Sequence, residues 1–198
     1  MRDVTELVII IDKSGSMQPL TEDVIGGFNS LIEEQKKEGE TIVTTIFFND
    51  SIKFIHERTD IKEIKPLDKR TYCASGCTAL LDAIGDGIAF IKSKHASTKE
   101  ENLPKHTNFS IMTDGFENAS REYSYKKIKE MIGLQKKCGW DFIFQAANID
   151  VEYEADKLGI DLDMAVEFEP SSTGVKKSME LACSTIGNLR RKPRRKGR

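Results

Sequence analysis

Short apolar segments alternate with amphipathic segments along most of the 198-residue chain. The first segment, Glu6 to Ile11, is almost continuously apolar and rich in β-branched residues, which is typical of a buried parallel strand. The second, Thr21 to Glu38, repeats apolar residues at helical spacing. A predicted strand over Thr41 to Phe48 is followed by the turn sequence Asn49-Asp50, so we expect an antiparallel hairpin with Ser51 to Ile55.

The rest of the chain continues this alternation after an irregular stretch over residues 59 to 77. The expected helices are Thr78 to Lys94, a helix around Tyr125 to Gln135, Glu152 to Leu158 and Ser171 to Leu189, and the expected strands are Asn108 to Thr113, Trp140 to Ala147 and Met164 to Phe168. Alternating strands and helices indicate an α/β protein with a mostly parallel sheet. Ligands of such sheets bind beyond the carboxyl ends of the strands, where the strand order reverses.

Length and composition indicate one globular domain that needs no disulfide or structural metal to fold. The early apolar run Leu7 to Ile11 is too short to span a membrane, and Asp3 and Glu6 precede it where a signal peptide would carry positive charge. The four cysteines are irregularly spaced, which fits reduced thiols. We therefore expect a cytoplasmic protein without a membrane span.

The net charge of −2 conceals an asymmetry between the body of the chain and its end. Residues Arg190 to Arg198 contain seven Lys or Arg and no acid, which leaves 23 basic and 32 acidic residues elsewhere. This predicts a folded domain over residues 1–189 and a basic, disordered tail over residues 190–198. The tail could attract nucleic acid through its charge, but it has no aromatic residue on which a base could stack.

Side chains with oxygen ligands follow two of the predicted strands. Asp12, Ser14 and Ser16 alternate after the first strand, so their oxygens can turn to one side of an extended loop. Asp114 follows a later strand, and Thr78 stands at the predicted start of a helix. If the two strands are neighbours, the two aspartates lie together where the strand order reverses. Two carboxylates and three hydroxyls form an all-oxygen set, which suits a hard cation such as Mg²⁺.

Alternative interpretations of individual residues are open at this point. Ser, Gly and Asp after a strand are also ordinary loop and capping residues. Ser14 and Ser16 as nucleophiles lack a Gly-x-Ser-x-Gly elbow and a histidine nearby in the sequence. Cys73 and Cys77 lack a second ligand pair for zinc. Asp82 is most simply an acid that favours the dipole of the predicted helix, and a hydrogen bond to the site is the alternative.

Asp12 to Ser16 matches the Asp-x-Ser-x-Ser motif of von Willebrand factor type A domains, and Thr78 and Asp114-Gly115 match the rest of that family's metal-ion-dependent adhesion site. The resemblance covers about residues 5 to 189 and is greatest to the stand-alone bacterial members. It implies a doubly wound, Rossmann-like α/β fold whose mostly parallel sheet has one antiparallel edge strand and helices on both faces.

The same resemblance implies Mg²⁺ or Mn²⁺ bound directly by Ser14, Ser16 and Thr78, with Asp12 and Asp114 bound directly or through water. A partner protein's Asp or Glu commonly completes the coordination of the ion in this family. The sequence departs from the pattern at Cys77, where many relatives have a small residue before the threonine.

Three hypotheses follow for the function. The first is a non-enzymatic, metal-dependent protein-binding module, and the bacterial relatives imply a role in stress response or signalling. The second is a hydrolase or phosphatase in which the same acidic site holds a metal that activates water or polarises a phosphoryl group. The third assigns nucleic-acid binding to the basic tail.

Overall fold

The computed structural model describes residues 2–193 and contains one six-stranded sheet with helices packed on both faces. The strands are β1 (Arg2–Asp12), β2 (Thr41–Phe48), β3 (Ile52–Asp60), β4 (Pro104–Thr113), β5 (Trp140–Ala146) and β6 (Ala165–Glu167). The α-helices are α1 (Thr21–Glu38), α2 (Leu80–Ala96), α3 (Tyr125–Lys137), α4 (Val151–Leu158) and α5 (Ser172–Arg191). This architecture confirms the predicted α/β class.

The strand order is β3-β2-β1-β4-β5-β6, and every neighbouring pair is parallel except β2 with the edge strand β3. The chain leaves β1 toward β2 on one side and leaves β4 toward β5 on the other, so the order reverses between β1 and β4. These two strands are adjacent and in parallel register, with Ile11 opposite Met112. Their carboxyl ends, and the loops that follow Asp12 and Thr113, therefore meet at one edge of the sheet.

Alternating side chains of the central strands divide the core into two layers. Odd-numbered residues of β1 pack with α1 and α5, and even-numbered residues pack with α2, α3 and α4. The run Leu7 to Ile11 is buried because both of its faces are covered, which explains its almost continuous apolar character. Within residues 2–193, no helix combines the length and the apolar character that crossing a bilayer requires.

Several predicted element boundaries differ from the structure, and β1 and β4 begin earlier than predicted, at Arg2 and Pro104. Helix α2 begins at Leu80, so Thr78 lies in the preceding loop and not at a helix start. Strand β3 continues from Ile52 to Asp60, beyond the predicted end at Ile55. Its side chains are only half-buried and largely polar because it forms the edge of the sheet, and this conceals the periodicity of its second half.

The first residues of the predicted basic tail belong to the folded domain. Helix α5 continues past residue 189 to Arg191. The Arg190 guanidinium donates hydrogen bonds from Nη2 to Gln35 Oε1 at 2.8 Å and to Thr41 Oγ1 at 2.7 Å. It thereby ties the end of α5 to α1 and to the start of β2. The tail residues 194–198 lie outside the described residues.

A buried ionic cluster lies on β1 near the amino ends of its neighbours β2 and β4. The Glu6 carboxylate is fully buried and accepts hydrogen bonds from Arg58 Nε at 2.8 Å and Nη2 at 3.0 Å. His95 Nε2 lies 2.9 Å from Glu6 Oε2, the oxygen that Arg58 Nη2 also contacts. Arg58 adopts a φ of 49°, a left-handed conformation that non-glycine residues rarely adopt. The paired charges hold this strained residue of the edge strand β3 against the central strand.

We predict that Arg58→Ala lowers the free energy of unfolding by about 3 kcal/mol, because it leaves the buried Glu6 carboxylate without its bidentate partner. The exposed pair between Lys105 and Asp3, at 3.1 Å, provides the control. Lys105→Ala is expected to cost less than about 1 kcal/mol. Urea denaturation of both variants measures the difference, and equal losses would contradict the structural role of the Glu6 cluster.

Candidate metal centre

Asp12 is the last residue of β1 and its side chain is held in one orientation. Its Oδ1 accepts a hydrogen bond from the Ser14 backbone N–H at 2.7 Å, and its Oδ2 accepts one from Thr113 Oγ1 at 2.6 Å. The Asp12 carbonyl also accepts a hydrogen bond from the buried Tyr72 hydroxyl at 2.6 Å. Ser14 and Thr113 therefore orient the fully buried carboxylate, and Tyr72 holds the backbone that carries it, at the point where the strand order reverses.

The loop after Asp12 brings two hydroxyls to the second carboxylate. Ser14 Oγ lies 3.1 Å from Ser16 Oγ, and Ser16 Oγ donates a hydrogen bond to Asp114 Oδ1 at 2.5 Å. The Gly15 backbone N–H donates to the Gly76 carbonyl at 2.9 Å, which attaches this loop to the segment that leads to Thr78.

Thr78 joins this cluster through the loop that follows β4. A Cβ atom placed on Gly115 would lie 3.7 Å from Ser16 Oγ and 3.8 Å from Thr78 Oγ1, so both hydroxyls face the same stretch of backbone. The Thr78 backbone N–H donates to Asn118 Oδ1 at 2.9 Å, and the Asn118 N–H donates back to the Thr78 carbonyl at 3.0 Å. This reciprocal pair fixes the threonine although no helix begins there.

The five residues singled out from the sequence thus lie together on three loops at the carboxyl edge of the sheet. They are Asp12, Ser14, Ser16, Thr78 and Asp114. The set contains only two carboxylates, and residues 2–193 contain no group of three or more His, Cys, Asp or Glu side chains that could hold a metal. A cation at this edge would therefore depend on the hydroxyls as much as on the acids.

Burial shifts the pKa of both carboxylates of this pair in the same direction. Burial raises the pKa of Asp12 from 3.8 to about 6 against the lowering effect of the hydrogen bonds from Thr113 and Ser14, and the charge of Asp114 raises it further. Burial also raises the pKa of Asp114, while the hydrogen bond from Ser16 lowers it. Among the described residues, no Lys, Arg or His forms an ion pair with either aspartate.

These residues fit a divalent cation. Two neighbouring carboxylates without a basic partner lack the positive charge that would stabilise their ionised forms. Carboxylate and hydroxyl oxygens are hard ligands of the kind that Mg²⁺ and Mn²⁺ prefer, and the set has no soft sulfur ligand. Cys77, next to Thr78, is exposed, and its backbone N–H donates to Asp50 Oδ2 at 3.1 Å.

The Asp82 carboxylate makes hydrogen bonds that an interaction with the helix dipole does not account for. Its Oδ2 accepts a hydrogen bond from the Arg121 N–H at 2.8 Å, and its Oδ1 accepts from the N–H groups of Glu122 and Tyr123, both at 3.0 Å. The carboxylate therefore holds the far end of the loop that carries Asp114. No local sequence signal identifies this role, because the three donors lie about forty residues away along the chain.

Glu117 holds the middle of the same loop and was also missed. Its carboxylate accepts hydrogen bonds from the backbone N–H groups of Leu81 at 3.0 Å, Ala119 at 2.9 Å and Ser120 at 2.8 Å. With Asn118, it attaches this loop to the start of α2. The available sequence signal is an acid and an amide, Glu117 and Asn118, shortly after Asp114. This signal can be interpreted only once their loop is known to contact the segment before α2.

The histidines of the chain lie away from this edge. His56 contacts Thr45 at 3.1 Å across the hairpin, His95 is in the last turn of α2, and His106 is near the start of β4. The zinc alternative also gains no support, because Cys73 and Cys77 are both exposed free thiols. The site therefore offers hydroxyls and carboxylates without an adjacent imidazole base.

Comparison with known proteins relates the chain to solved structures. No protein-family model matches the chain, and no curated protein matches its sequence. The vWF domain of the type V pili tip protein Mfa5 from Porphyromonas gingivalis matches with a TM-score of 0.67 at 10% identity, over 95% of this chain and 96% of that one. The chain has a von Willebrand factor type A fold.

Two longer proteins share this fold. The PilB minor pilin from Streptococcus sanguinis matches with a TM-score of 0.66 at 14% identity, over 92% of this chain and 61% of that one. The proximal thread matrix protein 1 from the mussel byssus, with a zinc-occupied MIDAS motif, matches with a TM-score of 0.62 at 15% identity, over 92% of this chain and 46% of that one. The chain thus spans about half to three fifths of these two proteins.

We predict that Asp12→Asn stabilises the metal-free protein at neutral pH. Because burial raises the Asp12 pKa to about 6, the ionised carboxylate destabilises the metal-free fold as the pH rises from about 4 to about 6. The amide removes that charge, so the free energy of unfolding should rise by about 3 kcal/mol at pH 7.5 and by roughly half as much at pH 5. Urea denaturation in EDTA at both pH values measures the gain.

Asp163→Asn is the matched control, because Asp163 is exposed and distant in sequence from the site loops. This variant should change stability little at either pH. A gain from Asp12→Asn that does not depend on pH would contradict the assignment of a raised pKa to Asp12.

Proposed function

We propose that this chain is a non-enzymatic protein-interaction module that binds its partner through a divalent cation. Asp12, Ser14, Ser16, Thr78 and Asp114 would hold Mg²⁺ or Mn²⁺, and the partner would supply an Asp or Glu side chain to the ion. The observation that carries the proposal is the pair of carboxylates at the carboxyl edge of the sheet, without a basic partner among the described residues and bordered by three hydroxyls.

The chemistry of the ligand set supports recognition of a carboxylate. Three of the five proposed ligands are neutral hydroxyls, so two aspartates balance the charge of a divalent ion without making the centre anionic. The ion would supply electrophilic character and an exchangeable coordination position. An incoming carboxylate would therefore be attracted to the site. A zinc-occupied MIDAS in the mussel protein of the same fold supports divalent-metal binding as a property of this architecture.

The arrangement favours binding over catalysis. The Ser14 and Ser16 hydroxyls lie beside each other and beside Asp114, and the described histidines lie elsewhere. A serine nucleophile with an aligned base, as covalent hydrolytic catalysis requires, is therefore not assembled from these side chains. The pilus proteins of the same fold also support an interaction role. We propose a cytoplasmic location, which the four free cysteines favour.

The first test is whether the protein binds a cation at this site. At about 100 times the Kd for Mn²⁺, the melting temperature of the wild type should rise by roughly 5–10 °C. Ser16→Ala and Asp114→Ala should remove most of this rise because each deletes a proposed ligand. Asp163→Ala, which alters an exposed acid, is the control and should respond as the wild type does. An equal rise in all four proteins would exclude this set of ligands.

The second test is whether a protein partner binds only when the cation is present. Affinity capture from native lysate should retain a partner with the wild type in Mg²⁺ and lose it with the wild type in EDTA or with Asp12→Ala in Mg²⁺. Amidation of the carboxyl groups in the lysate should abolish the same capture, because the partner's acid is then blocked. Undiminished capture after amidation would contradict the proposed carboxylate ligand. Metal-dependent hydrolytic turnover by the wild type that Asp114→Ala removes would favour the hydrolase hypothesis instead.

A further inference from the structure

Phe116 is an exposed aromatic side chain at the edge of the candidate metal centre. It retains 62% of its exposure, whereas the phenylalanines of the central strands are buried in the two core layers. We propose that Phe116 is the apolar anchor for the partner, and that the partner carries a bulky apolar residue within two positions of its metal-binding acid. This inference rests on the function proposed above and specifies the chemistry of the partner.

The position of Phe116 follows from its neighbour Gly115. The Cβ position of Gly115 lies within 4 Å of the Ser16 and Thr78 hydroxyl oxygens. Consecutive Cα atoms are about 3.8 Å apart, so the backbone of Phe116 is one residue step from the oxygen cluster. A carboxylate at the site and the Phe116 ring are therefore separated by a distance that a short peptide segment can span.

The backbone that carries the ring is held on both sides. Glu117 is anchored by backbone N–H groups from Leu81, Ala119 and Ser120, and Asn118 is paired with Thr78 by two hydrogen bonds. On the other side, Asn148 Nδ2 donates to the Asp114 carbonyl at 3.3 Å. The backbone that carries the ring is thus held before any partner arrives, which reduces the entropy lost on binding.

The metal centre alone would give little selectivity. Every protein surface presents Asp and Glu, and a bound cation accepts any of them, so discrimination must come from the residues around the ion. Aromatic side chains commonly dominate interface energetics when a partner covers them. In an extended segment, side chains two residues apart lie on one face at about 7 Å, so an apolar residue at that spacing faces the protein on the same side as the acid.

The test compares two capped peptides, Leu-Gly-Asp-Gly-Leu and Gly-Gly-Asp-Gly-Gly, which present one acid with and without apolar neighbours in either chain direction. Their affinities for the Mn²⁺-loaded protein are measured from the paramagnetic broadening of the peptide proton signals. The wild type should bind the leucine peptide roughly tenfold more tightly, because its side chain is covered by the ring. Phe116→Ala should remove this preference while leaving the affinities for Mn²⁺ and for the glycine peptide unchanged.

Leu162→Ala is the matched control. Leu162 is 56% exposed and lies before the start of β6, at the opposite edge of the sheet, so its loss should leave the preference intact. Phe116→Leu, which keeps an apolar side chain, should retain most of the preference. A peptide with Asn in place of Asp should bind to none of these proteins at the metal.

The outcomes separate this inference from the function on which it rests. If both peptides bind the wild type equally, or if Phe116→Ala keeps the preference, the anchoring role of Phe116 is wrong and the metal-dependent function stands. If Mn²⁺ binds but neither peptide does, carboxylate recognition fails, and the role of Phe116 fails with it. If Mn²⁺ does not bind, the proposed metal centre is itself overturned, together with both inferences.

Discussion

The burial of two neighbouring carboxylates without an opposing positive charge is the constraint on which the candidate site depends. Asp12 and Asp114 lie close together because β1 and β4 are adjacent and parallel. The strand order reverses between these two strands, so the loops that follow them diverge to opposite sides. Desolvation opposes this arrangement and raises the pKa of both groups, and the charge of Asp114 raises the pKa of Asp12 further. The surrounding loops offset that cost with hydrogen bonds, so much of the polar bonding at this edge keeps the two acids in position.

The convergence of these acids could be predicted because it depends on general properties of parallel sheets. Apolar segments locate the strands, and residues that follow adjacent parallel strands meet at one edge. The apolar pattern left open whether the two strands are neighbours, and the strand order supplies that information. The surroundings of Thr78 could not be predicted in this way, since its orientation comes from Asn118 on a distant loop rather than from a helix start.

The hydrogen bonds that hold the site loops in place could also not be predicted from local sequence patterns. Asp82 and Glu117 satisfy backbone N–H groups that are far away along the chain, and only the folded arrangement brings donor and acceptor together. The extent of β3 was underestimated for a different reason. Its register irregularities and its strained Arg58 interrupt the alternation on which strand prediction relies. Failures of local prediction thus coincide with long-range hydrogen bonds and with backbone strain.

β1 carries two buried acids, Glu6 and Asp12, that have different kinds of partner. Toward the amino end, the charge of Glu6 is balanced by Arg58 from the chain itself, and His95 contacts the same carboxylate. At the carboxyl end, the Asp12 carboxylate accepts hydrogen bonds from the Thr113 hydroxyl and the Ser14 backbone N–H, and its backbone carbonyl accepts one from the Tyr72 hydroxyl. The same strand therefore shows that this fold is able to place basic side chains against a buried carboxylate. Their absence around Asp12 among the described residues is consistent with a positive charge that comes from outside the chain.

The hydrogen bonds of Arg190 affect how the basic end of the chain can be studied. Composition alone groups this residue with the arginines and lysines that follow it, but its guanidinium joins α5, α1 and the first residue of β2. A truncation that begins at this position would remove structural bonds together with charge, and weaker nucleic-acid binding could then reflect a loosened helix. Shortening the chain after Arg191 separates the two effects, because the hydrogen bonds of Arg190 to Gln35 and Thr41 are preserved.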